Sequence, residues 1–159
     1  MRKISLLILN FCLGIVAGNL TAVNCLKKRI INREKDVYKF KAYYDMLRKW
    51  IEVEQEGKSI EELLLKKGYT NIAIYGMGDV GNLLFADLKN TSINVLYGID
   101  KNIIGNSLEL EIVKPQENLK KVDAIIVSAV FAYDEIADML RPLVDCPVIA
   151  MDDLIYEIV

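Results

Sequence analysis

The stretch Ile72-Ala-Ile-Tyr-Gly76-Met-Gly78-Asp-Val-Gly81 constrains this chain more than any other. Four largely apolar residues run into three closely spaced glycines, and a helical pattern starts at once. Asp100 stands 24 residues after Gly76, at the end of a second apolar run. Strand, tight turn, helix and a second strand ending in an acid are the wiring of a βαβ unit that receives a dinucleotide at its turn. In that reading Gly76 permits the turn, Gly78 lets the backbone approach a pyrophosphate, and Gly81 lets helix and strand pack closely. The phosphates would lie at the positive end of the helix beginning near Asp79. Met77 and Val80 complete the loop, and the charge of Asp79 suits a helix start. Asp100 would accept hydrogen bonds from a ribose diol, which favours NAD over NADP. The neighbouring Lys101 weakens that preference. Glycines at such a turn also serve packing alone, and an acid there also closes a strand.

The alternation continues beyond the turn. The pattern predicts strands at 71–75, 94–99, 110–113, 123–127 and 148–151. Helices are predicted at 79–89, 134–144 and 153–158, with a short helical turn from Pro115 through Leu119. Val80, Leu83, Leu84 and Leu88 are expected to face the sheet. Right-handed crossovers then give an α/β fold with a parallel sheet in the order 3-2-1-4-5. Ligands of such sheets lie at the carboxyl ends of the strands, where strands one and four diverge. That places Ser128 and its neighbours beside the glycine turn, as a ligand contact or simply as a small polar residue after a buried strand.

Ahead of this domain the chain changes character. Ile4 to Val23 carries no charge, and twenty helical residues span about 30 Å, the thickness of a bilayer core. Lys27, Lys28, Arg29, Arg33 and Lys35 follow closely. The larger positive cluster stays in the cytoplasm. The expectation is therefore a single-pass inner-membrane protein, held in the lipid bilayer by residues 4–23, with its C-terminal domain cytoplasmic. A cleaved signal peptide and a buried helix are the competing readings. Gly14 and Gly18 would let two such helices approach closely and form a homodimer.

From about Ile30 to Gln55 the pattern is helical and amphipathic. Ile30, Val37, Tyr44 and Ile51 recur every seven residues, with Phe40 and Leu47 between them. Tyr43, Met46, Trp50 and Val53 form a second stripe, expected to pack as core. Arg33 and Glu54 at seam positions argue against a strict coiled coil. Gly57 ends this helix. Ser59 and Glu62 have the spacing of a capping box, opening a short helix that closes on Lys66-Lys67-Gly68. The expected organisation is an anchor at 1–26, a helical linker at 27–68 and a nucleotide-binding domain at 69–159.

Composition narrows the chemistry. The chain contains no histidine, so a zinc site and a Ser-His-Asp triad are not expected. Its three cysteines have neither disulfide nor metal spacing. Residues 37–159 carry a net charge of −7, which argues against nucleic acid as a partner.

The segments IAIYGMGDVGNLLFADLK, VLYGIDKN, VDAIIVSAVFAYDEIADML and PVIAMDDLIYEI resemble a family of small Rossmann-like domains from bacterial surface-polysaccharide loci. The segment from Trp50 to Gly78 resembles stand-alone members with an N-terminal membrane helix. The resemblance covers about residues 40–159. It implies a site for a nucleotide or nucleotide-sugar at Gly76, Gly78, Gly81 and Asp100, and a neighbouring glycosyltransferase as partner. The stretch from Ile72 to Asp100 is also similar to NAD-binding regulatory domains of potassium transporters, which implies NAD and a membrane transporter instead.

Catalysis is not expected from this chain. A short-chain-type sugar epimerase or dehydratase uses a tyrosine with a lysine one helical turn later. Such a pair is not expected at any of the eight tyrosines, and Tyr44, with Arg48, comes nearest. About five strands leave no separate substrate domain. The readings that stand are a nucleotide-binding module, a fragment of an NAD-dependent oxidoreductase or epimerase, an NAD-sensing subunit of a transporter, and a scaffold with a vacant site.

Overall fold

The computed structural model describes residues 2–102, 109–116 and 119–158, with side chains described from residue 22 onward. The chain divides into two compact units, Met1–Lys41 and Ala42–Val159. One helix, α1 (Arg2–Gln55), contributes to both.

The single-pass membrane placement is corrected by this helix. Among the described residues no helix is long and apolar enough to cross a membrane. Residues 4–23 belong to a helix that runs on unbroken through Lys27, Lys28, Arg29 and Arg33. Neither the transmembrane helix nor the bilayer contact through residues 4–23 is supported. The close approach expected at Gly14 and Gly18 lies outside the described side chains.

In the second unit, α1 ends at Gln55, and Gly57 turns the chain at φ +73°. A left-handed residue beyond a helix end suits glycine, which has no Cβ to clash. The short helix α2 (Ile60–Lys66) opens as its capping box predicts, the Glu62 amide donating to Ser59 Oγ at 3.2 Å. Five strands follow: β1 (Asn71–Tyr75), β2 (Asn94–Ile99), β3 (Ile112–Val113), β4 (Ala124–Val127) and β5 (Val148–Ala150). All pair in parallel, in the order β3-β2-β1-β4-β5, as the crossover rule requires. Against β1, β2 carries a bulge: Ile72 pairs with Val95 and Ala73 with Tyr97, leaving Leu96 unpaired.

Helix α3 (Asp79–Leu88) links β1 to β2, α4 (Tyr133–Leu140) links β4 to β5, and α5 (Met151–Glu157) follows β5. Side chains along β1 alternate between two cores. Ile72 and Ile74 pack with Met46, Trp50 and Val53 of α1, with α2, α3 and α5 on the same side. Ala73 and Tyr75 pack with Tyr97, Ile136 and Leu140 on the other. Each fully buried side chain of this size contributes about 1.5–3 kcal/mol.

Three local expectations change. Leu83 is exposed, because Val80, Gly81, Leu84 and Leu88 form the buried side of α3. β3 is two residues long rather than four, since only Gly98 and Ile99 of β2 pair with it. α4 stops at Leu140 rather than Val144; Pro142 follows and cannot donate to the helix ladder. Of the helical turn expected at 115–119, residues 117 and 118 lie outside the described residues, and the described part is not helical.

Candidate functional site

The glycine turn sits at the carboxyl ends of β1 and β4, as the topology places it. Its three glycines are there for different reasons. Gly76 has φ +91°, and a Cβ on it would stand 2.9 Å from Ser128 Oγ. Gly81 has ordinary helical backbone, but its Cβ would lie 2.1 Å from the Gly76 carbonyl oxygen. No side chain fits there, so Gly81 closes helix onto strand. Gly78 has φ −79° and ψ −162°, open to any residue, and its Cβ would meet nothing within 4 Å. Neither conformation nor internal packing asks for glycine at 78.

Several groups hold the turn. The Gly76 amide donates to Ile99 O at 2.8 Å. The Met77 amide donates to Asp100 Oδ2 at 2.8 Å. Ser128, 3% exposed, donates its hydroxyl to Gly76 O at 2.6 Å, and its amide donates to Tyr75 O at 2.9 Å. Asn82 reaches back from α3, its Nδ2 donating to Met77 O at 3.2 Å. The Met77 side chain lies over β2, where a Cβ on Gly98 would come within 2.6 Å of Met77 Cγ.

Asp100 and Ser128 are therefore brought to the turn, but each also fastens it. Asp100 Oδ1 accepts from the Asn102 amide at 2.9 Å. A carboxylate has about four acceptor sites, so capacity is left for a ligand hydroxyl. Ser128 lies beneath the turn and is occupied with it. Val80 is buried against the core, whereas Gly78, Asp79 and Lys101 are exposed. Asp79 opens α3, and no side chain caps that helix at Gly78. The first amides of the helix therefore face outward with its positive dipole end.

An aromatic wall stands beside this opening. Tyr43 of α1 meets Phe131 edge-on, their ring centroids 5.7 Å apart. Burial, then the nearby Asp79 charge, pushes the Tyr43 hydroxyl above its ordinary value. Tyr75, at the foot of the turn, is buried, and its hydroxyl has no hydrogen-bond partner among the described residues. Burial and then the Asp100 charge raise its pKa.

No protein-family model matches this chain, and no curated protein matches it.

The geometry bears on catalysis as well. Tyr97 and Lys101 do have the Tyr-x-x-x-Lys spacing, which corrects the expectation that none of the eight tyrosines has it. The pair lies on and just beyond β2, not on a helix. Tyr97 is 1% exposed, its hydroxyl donates to Lys120 O at 2.7 Å, and burial pushes its pKa up to about 12. A tyrosine held in that way is not an acid-base group for a ligand at the turn. Among the described residues no cluster of three potential metal ligands occurs. Asn82, Gly98 and Phe131 are the site components that sequence reasoning missed. Gly98 had a legible signal, an isolated glycine within a strand, which marks close approach of another group.

Proposed function

We propose that the domain is a nucleotide-binding module, taking NAD or a nucleotide-sugar at the Gly76–Gly81 turn and performing no reaction by itself. Gly78 carries this reading. It is exposed at the uncapped start of α3, and neither its backbone nor its neighbours require glycine. A pyrophosphate lying on the helix N-terminus supplies the reason, because it needs close approach to backbone amides. Spare acceptor capacity on Asp100 supports a ribose contact. The resemblance to domains of polysaccharide loci supports a nucleotide-sugar and a role beside surface-polysaccharide synthesis, with a glycosyltransferase as neighbour.

The lack of histidine and the engagement of Tyr97 support binding rather than catalysis. A second reading, a scaffold whose turn serves packing alone, is favoured by Gly81 and Ser128, both spent within the fold.

Thermal unfolding with NAD, NADH and UDP-sugars separates the two. A ligand at 100 times its dissociation constant adds about 2.7 kcal/mol. That gain is expected in the wild type and absent in Gly78→Val. Mass spectrometry of what co-purifies with the chain names the ligand. A full nucleotide panel without any shift leaves the scaffold.

A further inference from the structure

Two apolar stripes run along α1, and they meet different fates. Met46, Trp50 and Val53 are buried in the domain core. The other stripe lies open. In the first unit Val23, Leu26, Ile30, Val37 and Phe40 are 47–70% exposed. Val23, Ile30 and Val37 hold the first heptad position and Leu26 and Phe40 the fourth, with Arg33 taking the fourth position between Ile30 and Val37. The sequence register continues through Tyr44, Leu47 and Ile51. An apolar seam with a 3.5-residue repeat on a helix exposed to water is the surface that pairs helices.

We propose that the segment Val23–Phe40 pairs with the same segment of a second copy of this chain, as a parallel two-stranded coiled coil. Residue choice supports two strands: β-branched side chains hold the first positions, and Leu26 holds a fourth. Charge identifies the occupant as a second copy. In a parallel pair, the residue just before each first position faces the residue just after the following fourth position of the other helix. Arg29 then faces Glu34 of the second copy, and Asp36 faces Lys41 of the second copy. Two-fold symmetry repeats both contacts. An antiparallel pair also brings opposite charges together, Arg29 against Asp36 and Glu34 against Lys41 of the second copy, but there the double variant Arg29→Glu/Glu34→Arg restores nothing. Arg33, the charged residue in this part of the seam, meets Arg33 of the second copy in the parallel pair, with Glu34 of the second copy beside each. A polar seam residue lowers stability but fixes register. The sequence pattern alone argued against a strict coiled coil because of Arg33 and Glu54; the proposed segment stops short of Glu54, and its open seam and flanking charges favour pairing despite Arg33.

The test is sedimentation equilibrium of the full chain at micromolar concentrations, where the wild type is expected to be a dimer. Arg29→Glu puts acid against acid, and Glu34→Arg puts base against base. Each alone weakens self-association about tenfold or more. The double variant restores the complementary pair and the dimer. An equimolar mixture of the two single variants forms the heterodimer in preference to either homodimer. Both positions are exposed, so circular dichroism is expected to be unchanged. A monomeric wild type overturns the proposal, whether or not it floats with lipid vesicles. So do single variants that dimerise as well as the wild type.

Discussion

Each end of the central strands is fastened by an aspartate, and the two fastenings differ in what they leave over. At the amino end, Asp123 Oδ2 accepts from the Thr70 amide at 2.9 Å, the Asn71 amide at 2.7 Å and Thr70 Oγ1 at 3.2 Å. Three donors converge on one oxygen and tie the start of β1 to that of β4. The Asn71 and Thr70 amides hold the Asp123 carboxyl below the usual carboxylate range. At the carboxyl end, Asp100 takes one amide from the turn on Oδ2 and one from Asn102 on Oδ1. Beside it, α3 begins without a side-chain cap, and Gly78 presents bare backbone. The amino end is closed by its own chain. The carboxyl end keeps its turn rigid with Ser128, Asn82 and Asp100 and still leaves donors facing outward. Rigid support under an open face is what a preorganised anion site requires.

Substitutions can break this contrast, and the largest effect belongs to the part of the turn spent on packing. Gly81→Ala forces a methyl group against the Gly76 carbonyl and is expected to cost about 3 kcal/mol or more in urea unfolding. Asp123→Ala comes next. It strips the acceptor from two strand-end amides and is expected to lower the melting temperature, with a pH signature. The folded pKa of Asp123 is depressed, so its contribution is fully present above about pH 4 and disappears as pH falls through the folded value. The wild type should therefore lose more stability than Asp123→Ala on acidification through that range. Equal losses would show that Asp123 does not fasten the strands. Ser128→Ala removes the donor to Gly76 O and is expected to cost about 1 kcal/mol. The smallest effect on stability is reserved for Gly78→Val, within about 1 kcal/mol of wild type, because only the cap position changes. Its effect on ligand-induced stabilisation should nevertheless be complete. If Gly78→Val unfolds as readily as Gly81→Ala, the two glycines are both structural and the open face loses its meaning.

Much of this arrangement was legible before folding. The bounds of β1 and β2 follow from apolar runs ending at glycine and aspartate, and the Ser59–Glu62 cap follows from its spacing. The core stripe of Met46, Trp50 and Val53 follows from helical period. The partner of Asp100 was not legible. An acid after a strand can face a ligand or turn back onto the loop, and the Met77 amide that claims it is 23 residues away. Asp123 drew no attention, because its donors at Thr70 and Asn71 lie more than 50 residues away. The membrane reading failed for a local reason. The absence of charge over residues 4–23 was weighed more than their apolarity, which Asn10, Asn19 and Thr21 dilute, and no helix among the described residues is long and apolar enough to cross a membrane.

By itself the sequence determined what is local or periodic: where strands stop, where glycine must take a positive φ, and which residues share a helix face. Steric limits on the backbone and the helical repeat act within a few residues, so they are written in neighbouring letters. Parallel order followed as well, since crossover handedness leaves few alternatives. Only the tertiary structure decided which stripe of α1 is covered, which carboxylate oxygens remain available, and which glycine of the turn has no internal reason to be glycine. Those outcomes depend on competition for donors and for apolar surface between residues far apart in the chain, and that competition is settled only when they meet.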